Sequence, residues 1–117
     1  MPVINKEKAL QHYSWGNHCD GWVLVDTDEL SVKQERMPQQ TAETLHYHEK
    51  AQQFFFILKG IATFEAGGKE FTVKANEGFY IKPGTRHRIA NNSNEELEFI
   101  LSSQPSTNTD RFNAPFP

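Results

Sequence analysis

The chain has 117 residues, enough for one apolar core and too few for two, so a single domain spanning residues 1–117 is expected. A formal charge of -3 and a pI of about 5.9 leave no basic footprint for nucleic acid. A mean hydropathy of -0.67, with no apolar run of membrane-spanning length, argues against a membrane partner. The opening MPVINKEKAL lacks the apolar stretch of a secretion signal, and one cysteine cannot form an internal disulfide, so a cytoplasmic protein is expected. That residue, Cys19, is read as a packed thiol rather than a nucleophile.

In chain order, the only helical signal lies at residues 5–12, inside an N-terminal segment of residues 1–21. Trp15 and Trp22 are expected to fill an end of the fold, and His12 and His18 to lie on the surface. From residue 22 the apolar pattern has a period of two. Strands are predicted at residues 22–26 and 30–37, around the turn Thr27-Asp28-Glu29. A third runs through Thr44, His46 and His48, with Ala42 and Glu43 leading in, and a fourth occupies residues 53–59, closed by Gly60. Residues 61–66 and 69–74 flank Gly67-Gly68, a strong hairpin signal, because those positions need positive φ. Residues 78–81, 86–91 and 97–101 complete the set. Short strands at regular spacing predict an all-β sandwich or barrel over residues 22–101, with a polar tail at 102–117 that wraps the surface or stays mobile.

The chemistry concentrates in LHYHEKAQQFFFILKG, residues 45–60. Alternate strand residues face one side, so His46 and His48 aim at one space. Alone, the pair is weak evidence and reads more readily as solvated or structural histidines than as a metal site. A third histidine follows the sharp turn Pro83-Gly84, and His87 opens the next strand, where its side chain can meet the pair.

These stretches resemble the two motifs of the cupin superfamily, in the form of a small single-domain cupin. His46, His48, Gln53 and Gly60 fall on the His-x-His, glutamate and glycine positions of the first motif, and Pro83, Gly84, His87 and Asn91 on the end of the second. The resemblance covers residues 40–91 and implies a jelly-roll-type β-barrel. It also implies one divalent transition metal ion (Fe, Ni, Mn, Co or Zn) held by His46, His48 and His87, with Gln53 as a weaker fourth donor. Three positions depart from the motifs. Gln40 stands for the leading glycine, Asn76 and Glu77 for a glycine and an aspartate, and Gln53 for the glutamate. Gln53 matters most: a neutral amide leaves the ion its full charge, or it serves only as a hydrogen-bonding strut.

By alternation, Phe55, Ile57, Ile89 and Asn91 are expected to line the pocket, and Arg86 and Arg88 to point away from it. Glu43, Glu49 and Glu65 are expected to face outward, leaving no internal general base. That pattern favours dioxygenase-like chemistry on a small organic molecule. The alternatives are a cupin isomerase and a barrel that binds a metal or small ligand without turnover. Outward Phe54 and Phe56 suggest a homodimer or packing against the N-terminal segment.

Overall fold

Period-two patterning becomes twelve strands in the computed structural model, which describes residues 2–114. Three are N-terminal to the first motif: β1 (Gln11–Trp15), β2 (Cys19–Asp26) and β3 (Ser31–Met37). The motif region supplies β4 (Thr41–Ala42), β5 (His46–Tyr47) and β6 (Gln52–Lys59). Next come β7 (Ile61–Ala66), β8 (Lys69–Lys74), β9 (Gly78–Ile81) and β10 (His87–Asn91). The last two are β11 (Leu97–Gln104) and β12 (Phe112–Asn113). One sheet has the order β1-β2-β3-β11-β6-β9, the other β12-β5-β10-β7-β8, and β4 also pairs with β10. The expected all-β jelly roll is present, but as two sheets face to face rather than a closed barrel.

Aromatic contacts join the sheets. Phe55 of the first sheet meets Phe64 of the second at 5.0 Å between ring centroids and Phe99 of its own sheet at 5.6 Å. Met37, Ile57, Ile89 and Leu97 fill in around them. Each such buried side chain stabilises the fold by about 1.5–3 kcal/mol relative to exposure. Gly67 and Gly68 have φ of 58° and 79°, as a two-residue hairpin turn with the strand twist requires.

The N-terminal segment differs from its helical expectation. Only Lys6–Lys8 turns, as a 3-10 helix capped by Asn5 Oδ1, which accepts the Lys8 N–H at 3.0 Å. So short a helix is unstable by itself, and from Gln11 the chain gains a full antiparallel ladder with β2. Trp15 packs against the core as expected, whereas Trp22 lies on the outer face. There His12 stacks on it at 5.2 Å and the Lys6 ammonium sits 4.8 Å from its ring centroid. His12 is on the surface, bonded to Asp20 at 3.0 Å, and Cys19 is a buried thiol whose pKa burial raises.

At the other end β11 runs three residues past the predicted 101, because Ser102, Ser103 and Gln104 pair with β6. The tail then crosses to the second sheet, where β12 pairs with β5 and Phe112 stacks on Tyr47 at 5.4 Å. The described part of the tail therefore wraps the fold; residues 115–117 lie outside the described residues.

Candidate metal centre

Sheet register assembles the histidines. His46 on β5 lies directly opposite His87 on β10. The Pro83-Gly84 turn delivers His87: Gly84 takes φ 81°, and the Thr85 N–H donates to the Lys82 carbonyl at 3.3 Å. The Gly84 N–H also donates to the His48 carbonyl at 2.6 Å, pinning the turn to the strand end that carries the histidine pair.

His46, His48 and His87 are buried, and one potential ligand atom from each lies within 4.8 Å of the others, so the three could hold a metal ion. Each ring has its Nδ1 against a main-chain carbonyl, at 2.7 Å for His46 and Thr44, 2.6 Å for His48 and Asp110, and 2.8 Å for His87 and Thr85. A carbonyl only accepts, so each Nδ1 carries the proton and each Nε2 keeps a free lone pair. Burial lowers the pKa of His46 to about 3, helped by the neighbouring His87, and that of His87 to about 4; burial lowers His48 as well. The rings are therefore neutral near pH 7, the form in which imidazole can bind a metal ion. His48 Nε2 is buried with no hydrogen-bond partner, a need that a bound metal ion would meet.

Gln53 is also buried. Its Oε1 lies 3.1 Å from His87 Nε2 and its Nε2 donates to Ser103 Oγ at 3.0 Å. With the His87 proton on Nδ1, two acceptors face one another here, an arrangement that a shared cation would satisfy. Rotating the amide would instead make Gln53 a donor to His87.

Beside the histidines is a cavity of about 310 Å³, on whose wall Tyr13, Glu35, Glu43, Phe55 and Arg111 appear together with His46 and Gln53. Of the four expected pocket residues, Phe55 is on that wall. Ile57 and Ile89 lie deeper, in the apolar core. Asn91 ties a loop: its amide donates to the carbonyls of Met37, Pro38 and Glu95 at 3.1, 3.1 and 2.8 Å. Arg86 and Arg88 point away from His87, the first over the Tyr47 ring and the second to Glu65 at 3.0 Å. Gln40 takes φ 57°, the conformation that favours glycine, and its amide donates to Asn92 and Ser93 carbonyls at 3.1 and 3.0 Å.

The expectation of no internal carboxylate is overturned. Glu49 and Glu65 face outward, but the Glu43 side chain is only 12 % exposed and lines the cavity. Its Oε1 accepts the Ile89 N–H at 3.1 Å and lies 4.0 Å from His46 Nδ1, and burial pushes its carboxyl up to about 8. The alternation argument fails because residues 43–45 form no strand: β4 ends at Ala42 and β5 begins at His46. Glu35 is a second cavity carboxylate, raised by burial, and sequence reasoning missed it. The signal was available, since Lys33 and Glu35 share the inward parity of Met37 on β3. Arg111 carried no such signal, because the tail has no period to read.

Two packed antiparallel sheets around a buried histidine cluster define the chain as a small jelly-roll protein with a candidate metal centre. The Cupin domain family profile matches residues 33–103, and the chain belongs to the cupin family. It is 32% identical over 65 residues to the oxalate-binding protein of Thermotoga maritima, covering 56% of this chain and 54% of that one. The chain spans about half the length of the curated relatives it matches. Among solved structures, a predicted oxalate decarboxylase from Thermotoga maritima superposes with a TM-score of 0.80 at 21% identity, covering 90% of this chain and 100% of that one. The polyketide cyclase RemF from Streptomyces resistomycificus gives 0.81 at 13% identity, covering 100% and 87%. Both structural likenesses carry the fold alone.

Proposed function

We propose that this cupin domain holds one divalent transition ion with His46, His48 and His87, takes Gln53 Oε1 as a fourth donor, and acts on a small oxygenated organic molecule in the adjoining cavity. The observation that carries the proposal is the tautomer pattern: three buried rings each commit Nδ1–H to a carbonyl, and His48 Nε2 is left without a partner. The ion, when bound, would supply Lewis acidity and, if it is iron, nickel, manganese or cobalt, redox chemistry.

The remaining roles belong to the chain. Four neutral donors add no charge of their own, which favours an anionic or enolic ligand. Lys33 and Arg111 on the cavity wall add positive charge for a carboxylate or enolate oxygen. Phe55 and Trp15 supply apolar surface that excludes water. Burial raises the carboxyls of both Glu35 and Glu43, that of Glu43 to about 8, which supports metal-assisted proton transfer of the isomerase kind. A dioxygenase-like reaction is the second reading: His46, His48 and His87 would hold the ion, and a redox-active one would supply oxygen chemistry to a substrate in the cavity.

Protein loaded with each metal, incubated with enolic, diketone and 2-oxo acid compounds, tests the proposal. Oxygen uptake with product supports the dioxygenase reading, and isomer formation or solvent-proton incorporation without oxygen uptake supports proton transfer. Either signal should vanish in His48→Ala. Ligand-dependent thermal stabilisation without turnover would instead identify a binding protein.

A further inference from the structure

We infer that Glu35, positioned by Tyr13, is a proton-transfer group of this cavity, and that its substrate is a small anionic carbonyl compound with an acidic C–H beside the carbonyl, as in the 2-oxo acids. The inference rests on the metal-dependent reading above and extends it to a residue and a substrate class.

Its basis is a ladder across three strands. Tyr13 on β1 lies opposite Gly21 on β2, and Gly21 lies opposite Glu35 on β3. Side chains paired across adjacent strands sit about 5 Å apart, so a residue on β1 ordinarily meets its β2 neighbour and goes no further. Here that neighbour has no side chain. A Cβ at position 21 would stand 2.0 Å from Tyr13 Cζ, so the ring occupies the space a larger residue would need. Lying across the bare backbone of β2, Tyr13 donates its hydroxyl hydrogen to Glu35 Oε2.

The resulting pair stands on the wall of the cavity that His46, His48 and Gln53 also line. Burial raises the Glu35 carboxyl, while the Tyr13 hydrogen bond and the charges of Lys33 and Arg111 pull it back. Burial also raises the Tyr13 phenol, which therefore keeps its proton. The roles divide accordingly: Glu35 exchanges the proton and Tyr13 fixes the carboxyl. Glu43 suits the task less well, because Ile89 N–H occupies its Oε1.

The substrate class follows from what shares the cavity. The histidine end suits a carbonyl oxygen, Lys33 and Arg111 suit an anionic group, and Glu35 needs a removable proton. Glu35 carboxylate takes a proton from the carbon beside the carbonyl. The C–H electron pair becomes a carbon–carbon double bond, and the carbonyl π pair moves onto oxygen, giving an enolate and a neutral Glu35 acid. Return of the proton to carbon restores both partners, and no oxidant or reductant is consumed.

The test is deuterium exchange at C3 of pyruvate and 2-oxobutyrate in D2O, followed by proton NMR with metal-loaded protein. Wild type should exchange, and Glu35→Gln, with unchanged metal content, should be slower by about 100-fold or more. Tyr13→Phe keeps the ring over Gly21 and should keep exchange, with the rising limb of its pH profile moved to higher pH. Losing the donated hydrogen bond removes an influence that lowers the Glu35 pKa. The other titratable or charged groups around Glu35 (Cys19 from β2, Lys33 from β3, Glu43 and Arg111) are unaltered in both variants. Infrared pH titration of metal-free protein gives a readout independent of turnover: the carboxyl band that is lost in Glu35→Gln should titrate above the ordinary glutamate range in wild type, and at higher pH still in Tyr13→Phe. Failure of metal binding in wild type would remove the underlying reading while leaving that band in place. Exchange undiminished in Glu35→Gln, no exchange of either probe by metal-loaded wild type, or no Glu35-dependent band would overturn the inference.

Discussion

The main-chain carbonyl of Asp110 accepts the Nδ1–H of His48 at 2.6 Å, while its carboxylate receives the N–H groups of Glu49, Lys50 and Ala51 at 2.8, 3.0 and 2.9 Å. One tail residue thus orients a candidate ligand and fastens the loop that follows it. Burial pushes the Asp110 carboxyl up, but the three N–H donors outweigh it and hold the pKa below the usual aspartate range. A depressed folded pKa contributes stability above the unfolded value, and that stability is lost as pH falls through the folded one. Asp110→Ala should cost about 2 kcal/mol or more near pH 7, since it strands three donors that now bond to a charged group. It should also weaken metal binding, because the main-chain carbonyl that orients His48 would lose the three side-chain hydrogen bonds that hold it in place. Urea melts at pH 7 and below pH 4 check the sign, because the gap from wild type should narrow in acid.

Metal loading should reach about one ion per chain, and alanine at His46, His48 or His87 should remove most of it. Elemental analysis after gel filtration measures this. Full retention in the His46→Ala, His87→Ala double variant would contradict a three-histidine centre.

Gln53→Glu separates ligand from strut. If Oε1 ligates, a carboxylate of nearly the same volume adds charge and tightens metal binding, by about tenfold or more in competitive chelator titration. If Gln53 only bridges His87 and Ser103, affinity stays flat or falls, and burial of a charge lowers the stability of the metal-free protein.

Metal-free protein should show histidine-dependent acid sensitivity. Unfolded histidines take up protons near pH 6.5, whereas folded His46 and His87 do so only near 3 and 4. Between those limits the unfolded chain binds more protons, so these rings make stability fall with falling pH, by about 1.4 kcal/mol per pH unit for each. Glu35 and Glu43, raised by burial, act in the opposite direction, so the informative quantity is a difference. The slope of stability against pH from 6 to 4.5 should be shallower in His46→Ala than in wild type, and equal slopes would count against neutral buried rings.

Assembly is the last expectation. The outer face of β6 and β9 exposes Phe54 and Tyr80, which are 44% and 57% accessible, beside half-buried Phe56. We expect an isologous dimer across this face, dissociated by Phe54→Glu. Light scattering at tens of micromolar, in the range of weak dimers, decides it; a monomer mass for wild type would rule the dimer out.

The sequence by itself determined what depends on near neighbours along the chain. Parity put His46 and His48 on one face, and Pro83-Gly84 announced the turn that delivers His87. Gly67-Gly68 marked its hairpin, because only a few residues accept positive φ. Parity holds only within an unbroken strand, however, and three missing strand residues were enough to turn Glu43 inward. The tertiary structure decided the rest, because the deciding contacts join residues far apart in the chain. Tyr13 reaches Glu35 only because a glycine on the strand between them leaves the way open. Asp110 holds His48 from 62 residues away. No period or local propensity encodes such a distance; it follows from which strands the packed sheets make neighbours.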